Sequence, residues 1–289
     1  MKKKGMKRVA IAAFSLAILI AFLFPLTEIG KAAPTIPISS CQTINTPGNY
    51  QLVADLTSSS TCITITASHV DFDLNGHRIT GPSGLADGPA GIQVIGVTHV
   101  DITGAGSIEN FGRGIDFEGV DSSEVKRVAL FGNFYGIVVS RDSITPNLNN
   151  LSEKNWFREN NASNNSQNGF LLNGASDNHF LGNGFNGNGA QGFLIVDGTG
   201  NQLKSGFALA NLGSGIEAGG AGGNTITDNL ADGNGIAGIV LPSGSVGNTV
   251  KGNTARNNAV VDLKDDNANC DNNVWTKNVF NTASQPCIQ

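Results

Sequence analysis

A glycine followed by an apolar residue recurs along most of this chain at a nearly constant spacing. Gly91-Ile92, Gly114-Ile115 and Gly136-Ile137, then Gly169-Phe170, Gly192-Phe193, Gly215-Ile216 and Gly238-Ile239, lie 22 or 23 residues apart, with one gap of 33 between Gly136 and Gly169. The gap holds a polar insertion near Arg141 to Lys154 that contains Pro146. Asparagine columns keep the same period: Asn178, Asn201, Asn224, Asn248 and Asn273; Asn183, Asn229, Asn253 and Asn278, with Gly206 filling one place; and Asn188, Asn211, Asn234 and Asn258. Between the columns, apolar residues alternate with a period of two, as in Ile92/Val94, Ile115/Phe117, Phe170/Leu172 and Phe193/Ile195. Alternation predicts short strands with one buried face. Gly and Asn tolerate the left-handed angles of tight turns. A repeat of strands and turns at this period predicts a solenoid whose coils stack at about 4.8 Å. Stacked asparagines would then hydrogen-bond in ladders. The 38 glycines and 34 asparagines make up about a quarter of the 289 residues, which argues against a helix bundle.

The ends of the chain read differently. Lys2, Lys3, Lys4, Lys7 and Arg8 precede an apolar run from Val9 to Phe24, and Ala32-Ala33 offers a small-residue cleavage site. Residues 1–33 read as a secretory signal peptide, with a retained membrane anchor as the alternative. That segment holds six of the 18 basic and one of the 23 acidic residues, leaving 12 and 22, a net charge of −10 on the mature chain. Such an acidic chain is a poor partner for nucleic acid. It is expected outside the cytoplasm, secreted or in the cell envelope, with no membrane span after cleavage. Export permits disulfides. Cys41 and Cys62 lie near the start of the mature chain, Cys270 and Cys287 near its end. If a stack separates the ends, cross-pairing is excluded and each pair staples its own end. The expected organisation is a signal peptide at 1–33, an N-terminal cap and first strands at 34–66, coils at 67–260 with the insertion near 141–154, and a C-terminal cap at 261–289.

These repeats resemble the right-handed parallel β-helix repeat family, within the pectin-lyase-like superfamily, over roughly residues 40 to 289. The run Val70-Asp71-Phe72-Asp73-Leu74-Asn75-Gly76-His77-Arg78-Ile79-Thr80-Gly81 is similar to the first full coils of exported bacterial members. Asp262-Leu263-Lys264-Asp265-Asp266-Asn267, with Cys270, Trp275 and Cys287, resembles their C-terminal cap. The resemblance implies an all-β, single-stranded right-handed parallel β-helix of about ten coils and about 45–50 Å length. The relatives it implies include polysaccharide lyases, glycoside hydrolases, uronan epimerases, phage tailspikes and NosD-like periplasmic proteins. Of the polygalacturonase-like motif set only Asp265-Asp266 is present, and the Tyr-Gly-Phe-Asp-Pro-His signature of uronan epimerases reduces to Tyr135-Gly136. Fold is therefore better specified than activity.

Candidate chemistry comes from stacking the early coils. With Val70, Val100 and Val125 aligned as inward residues, Asp71 and Asp73 point outward in one coil and Asp101 in the next. On that register Lys126 is expected beside Asp101, and His69 is expected to stack on His99 and Glu124. Two carboxylates one strand apart suit a retaining glycosidase or a bound Ca²⁺, and Lys126 would be a base or a counter-charge. Asp71, Asp101 and Lys126 are thus the candidate catalytic residues, with Asp71 and Asp101 also the candidate Ca²⁺ ligands. Asp73, His69, His99, Arg113, Asp116 and Arg141 are candidate sugar contacts. No cofactor is required by this reading. The four histidines do not assemble a convincing copper or zinc set. A further outward stripe, Val138, Leu171 and Leu194 in consecutive coils, is a candidate self-association surface. Two readings stay open: a protein that interacts with extracellular or envelope polysaccharide, cleaving it as a lyase or hydrolase if it is an enzyme, and a non-catalytic structural or surface-assembly protein.

Overall fold

The computed structural model describes residues 34–84, 86–141, 151–220 and 222–289; the signal segment and most of the insertion, residues 142–150, lie outside the described residues. Pro34–Gln289 is one compact unit. It is a right-handed parallel β-helix of about ten coils. One face is an eleven-stranded parallel sheet from Thr35–Ile38 to Val274–Thr276, and a second is a ten-stranded parallel sheet from Gln42–Ile44 to Val261–Asp265. The third face carries a five-stranded sheet and, further along, a three-stranded one. Eleven strands at the usual spacing make a stack of about 50 Å.

The alternation places the core as expected. Ile92, Val94, Ile115, Phe117, Phe170, Leu172, Phe193 and Ile195 are all buried inside the coils. Six phenylalanines form a continuous column, with Phe157 and Phe180 stacked at 4.8 Å and Phe170 edge-on to Phe180 at 5.7 Å. The repeat glycines are needed for close approach. A Cβ on Gly192 would sit 2.7 Å from Asn211 Nδ2 and from the carbonyl oxygens of Gly215 and Phe185. No side chain fits there.

The asparagine columns are ladders, and they are buried rather than left-handed. Asn178 donates its backbone N–H and its Nδ2 to Asn201 Oδ1 at 3.0 and 3.3 Å, and Asn201 does the same to Asn224 at 2.9 and 3.1 Å. The left-handed angle falls on the residue before most ladder asparagines: Asp177 (φ 53°), Asp228 (φ 56°), Gly200 (φ 68°) and Gly252 (φ 69°). That residue reverses the chain, and the next side chain turns inward to meet its copy one coil away. His69 (φ 59°) and His99 (φ 57°) occupy the same turn position in the early coils.

A ladder of this kind ends with donors that need an acceptor, and the C-terminal cap supplies them. Asn258 donates to Asp262 Oδ1 at 3.0 Å, Asn273 to Asp265 Oδ2 at 3.1 Å, and Asn278 to the Gln289 carbonyl at 2.9 Å. Buried Trp275 adds a donation from Nε1 to Asp265 Oδ2 at 2.8 Å. Burial alone would raise the Asp262 carboxyl, but hydrogen bonds from Asn258, Asn281 and Thr282 outweigh it and hold the group below its ordinary range. Disulfides Cys41–Cys62 and Cys270–Cys287 fasten the two ends in the expected pairing.

Removing a rung should be costly, because the neighbours lose partners where water cannot replace them. Asn201→Ala strands the Asn178 backbone N–H and the Ala175 carbonyl, which accepts Asn201 Nδ2 at 3.0 Å. A loss of roughly 2–4 kcal/mol is expected, read as a lower midpoint in thermal or urea unfolding. Asn257→Ala, whose side chain bonds Asp232 at the exposed surface, should cost less, about 1 kcal/mol, chiefly the strain of alanine at the left-handed φ of 57° that Asn257 adopts.

Candidate binding site on the ten-stranded sheet

The acidic ladder expected on the eleven-stranded face forms, with one correction of register. Asp71 pairs with Asp101, as expected, and Asp73 lies opposite Thr103. His69 and His99 stack at 4.8 Å. In the next coil, however, Val125 lies over Ile102 and Glu124 over Asp101. Val100 instead donates its N–H to Ser123 Oγ at 2.9 Å. The cause is the repeat length: Ile102 to Val125 spans one repeat of 23 residues, whereas Val100 to Val125 is two residues too long. A two-residue slip keeps every side chain on its face but changes its neighbour. Lys126 is therefore not beside Asp101; it pairs in register with Arg158. Glu124, displaced from the histidine column, extends the carboxylate column and forms an ion pair with Arg158 at 3.2 Å. Burial, then the charges of Asp71 and Glu124, raises the Asp101 carboxyl. The same column continues into Trp156, an outward aromatic that alternation with the inward Phe157 could have revealed. Trp156 stacks on His179 at 4.2 Å, with the Arg158 guanidinium 4.2 Å from its ring centre.

A better-defined site lies on the ten-stranded face and gathers three of the expected sugar contacts, Arg113, Asp116 and Arg141. Strand Arg113–Glu118 alternates Ile115 and Phe117 inward with Asp116 and Glu118 outward. The outward column through Asp116 reads Gln93, Asp116, Val138, Leu171 and Leu194. Arg113 is locked by three carboxylates. Its Nε and Nη2 donate to the two oxygens of Asp87 at 2.7 and 3.0 Å, and its Nη1 donates to Asp116 Oδ2 at 2.8 Å. Nη1 also lies 3.5 Å from Glu118 Oε1. Asp87 comes from the connection between strands Arg78–Thr80 and Ala90–Ile95, so this fork also fastens that loop to the sheet.

Beside the clamp is a cavity of about 410 Å³. Val138 and Leu171 lie in its lining; Tyr135, Ser140, Asn173, Glu118, Asp87, Arg113 and Arg141 complete it. The aliphatic stripe thus serves partly as a cavity floor. Val138 is 4% exposed, while Leu171 and Leu194 are half-buried. Arg141 lies against Gly174, where a side chain would displace its guanidinium. Among the described residues, no carboxylate pairs with it. The sequence reading missed Glu118, although it follows Asp116 by two on the same outward face, and Tyr135, although it stands one repeat from Arg113.

The electrostatics are dominated by Asp116, which is 2% exposed. Burial pushes its carboxyl up to about 7; Arg113 opposes the shift, and the neighbouring Glu118 reinforces it. Asp116 Oδ1 has no hydrogen-bond partner among the described residues. Two ionised carboxylates cannot donate to one another. A proton shared between Asp116 and Glu118 would supply the missing donor and relieve their repulsion. The Asp87 hydrogen bond foremost keeps the Arg113 cation charged. Burial, then the Asp87 charge, raises the Tyr135 phenol.

The sequence profile of NosD, described as a periplasmic copper-binding protein, matches residues 76–288. The chain belongs to the NosD family. That family is periplasmic, which agrees with export, and among the described residues no helix is long and apolar enough to cross a membrane. Among the described residues, no donor set matches the copper of the family's name. All four cysteines are in disulfides. His77 contacts Asp55 and His179 stacks on Trp156, while His69 and His99 stack on each other. Among the described residues, no three His, Cys, Asp or Glu side chains converge to hold a metal ion.

The NosD-family chain shares its fold with solved structures of epimerases and of a tailspike protein. It is 14% identical to the periplasmic alginate epimerase AlgG, with a TM-score of 0.65, and the match covers 83% of this chain and 62% of that one. It is 14% identical to the Dettilon tailspike protein, with a TM-score of 0.67 over 86% of this chain and 54% of that one. The A-module of the Azotobacter vinelandii mannuronan C-5 epimerase AlgE4 matches at 15% identity, with a TM-score of 0.55 over 89% and 87% of the two chains. No curated protein sequence matches the chain.

The raised Asp116 carboxyl makes stability depend on pH. Its folded value lies above the unfolded one, so its contribution is fully present below about pH 4 and is lost as pH rises through about 7. Asp116→Asn should therefore match the parent near pH 4 and exceed it at pH 8 by about 1–3 kcal/mol, measured as midpoints of urea unfolding. Equal stability of the two proteins at both pH values would contradict the assignment.

Proposed function

We propose that this protein binds a short stretch of envelope or extracellular polysaccharide in the cavity between Arg113, Arg141, Val138 and Leu171. The observation that carries the reading is the pairing of an aliphatic floor with fixed polar walls. A pyranose ring has an apolar C–H face and a rim of hydroxyls, so it matches such a surface without an aromatic platform. The volume, about 410 Å³, is in the range of small-ligand sites and holds one or two sugar units. Arg113 is pre-organised by Asp87 and Asp116, which lowers the cost of ordering it around a ligand. Support from outside the chain is the fold shared with proteins titled alginate and mannuronan epimerases. The role is recognition. Cleavage by Asp71, Asp101 and Lys126 is the weaker form of the reading, since the register separates Lys126 from the carboxylate pair.

The structural or assembly reading has one observation of its own. Leu212, Ile236 and Val260 stand 73%, 47% and 71% exposed in consecutive coils beyond the cavity, on the turn that precedes each strand of the ten-stranded sheet. An assembly role would show in sedimentation as association that Leu212→Ser and Val260→Ser abolish.

Calorimetric titration with oligosaccharides of alginate, pectate and neutral glucans tests the main reading. Arg141→Ala and Leu171→Asp are expected to weaken binding at least about tenfold, the loss of one charged or apolar contact. Asp71→Ala should leave it unchanged. Binding abolished by Asp71→Ala and untouched by Arg141→Ala would move the site to the other face.

A further inference from the structure

We infer that the cavity selects an anionic sugar, such as a uronate, and that it takes up one proton on Asp116 as the sugar binds. This rests on the cavity being the polysaccharide site and adds its ligand class and its pH response. The argument begins with the charges that face Asp116. From its own strand come Arg113 and Glu118, from the preceding connection Asp87, and from the following strand the Tyr135 phenol, with Arg141 at that strand's end. The outward neighbours directly above and below, Gln93 and Val138, carry no charge. With all carboxylates ionised, three negative charges meet two positive ones. Arg113 is then fully engaged by Asp87 and Asp116, and only Arg141 is left for a ligand. An anion entering beside Glu118 and Asp87 would meet net repulsion in a partly buried site.

One proton removes that excess negative charge. Placed on Asp116 Oδ1, the atom without a partner, it is donated to Glu118 and removes a charge from beneath Arg113. Arg113 Nη1 keeps the neutral Asp116 Oδ2 as an acceptor but gains unneutralised positive charge toward the cavity. Together with Arg141 it can then face a ligand carboxylate. The ligand's charge in turn stabilises the protonated form of Asp116. Ligand and proton therefore bind cooperatively, each strengthening the other by the same factor. Burial lifts the Asp116 carboxyl toward neutral pH, so the coupling acts near neutrality. A neutral sugar has no charge to couple and gains nothing from the proton. Asp116 is here a positioning and selecting residue: it acts through Arg113 and Glu118 and does not itself line the cavity.

The test is isothermal titration of the unaltered protein with an alginate oligosaccharide and a neutral glucan of equal length, at pH 6.5 and 8.5 in buffers of different ionisation enthalpy. Alginate should bind about tenfold tighter at pH 6.5 than at pH 8.5, the effect of linking one proton. Buffer dependence should show uptake approaching one proton per ligand near pH 7.5. Asp116→Asn, which mimics the protonated residue, should bind alginate with no pH dependence and no proton uptake. Alginate binding that is equally tight at both pH values, with no proton uptake, would overturn the inference and leave the polysaccharide reading standing. Failure of either oligosaccharide to bind at any pH would overturn both. Because uptake is read on the unaltered protein, the result does not depend on whether Asp116→Asn folds.

Discussion

The amide-to-amide hydrogen bond between stacked asparagines is the constraint on which the rest of this structure depends. Most ladder asparagines donate twice to the carbonyl oxygen of their copy one coil away, and most also donate Nδ2 to a main-chain carbonyl of the preceding coil. From Asn155 onward the arrangement satisfies polar groups of the buried turns with largely a single residue type. It also fixes the coil length, because an asparagine that slips by one residue loses every partner. The strands inherit their register from the turns, so the outward columns are set by the same ladders. Stacks of this kind need an end, and the buried carboxylates Asp262 and Asp265 act as terminal acceptors beneath the Cys270–Cys287 disulfide. Cation binding at this acidic segment is unnecessary to explain it.

A rigid frame of this sort lets a few irregular residues make a site. The connection carrying Asp87 interrupts the repeat before strand Ala90–Ile95, and it reaches Arg113 through a two-point fork. On the other side, the sequence leaves the repeat again after Ser140, where Arg141 begins the insertion. The cavity sits between these two departures. Its floor is ordinary solenoid surface, and its walls come from the places where the repeat breaks. This is how a solenoid of low aromatic content can offer a defined sugar-sized pocket.

Much of this was legible in the sequence, for a physical reason. The period, the inward apolar residues, the three asparagine columns and the local disulfides all follow from repetition, which imposes the same geometry on each coil. The site was harder to read. Asp87 belongs to a connection with no equivalent in other coils, so no column predicted its contact with Arg113. Glu118 and Tyr135 could have been placed by alternation and by the 22-residue step. Lys126 was misplaced because Val100 and Val125 look equivalent as inward valines, whereas the coil length matches Val125 to Ile102. The burial that perturbs Asp116 has no sequence signature, since outward positions on a solenoid are ordinarily wet. Family membership is equally silent on the site: the matched family is named for copper binding, and among the described residues no three His, Cys, Asp or Glu side chains converge to hold a metal ion.

The central claim is that the cavity beside Arg113 is where this NosD-family chain meets carbohydrate. A crystal structure of the protein with a bound alginate oligosaccharide tests it most directly. The claim predicts sugar density over Val138 and Leu171, with a carboxylate facing Arg113 or Arg141. Density along Asp71, Asp101 and Trp156 on the eleven-stranded face, with the cavity empty, would contradict it.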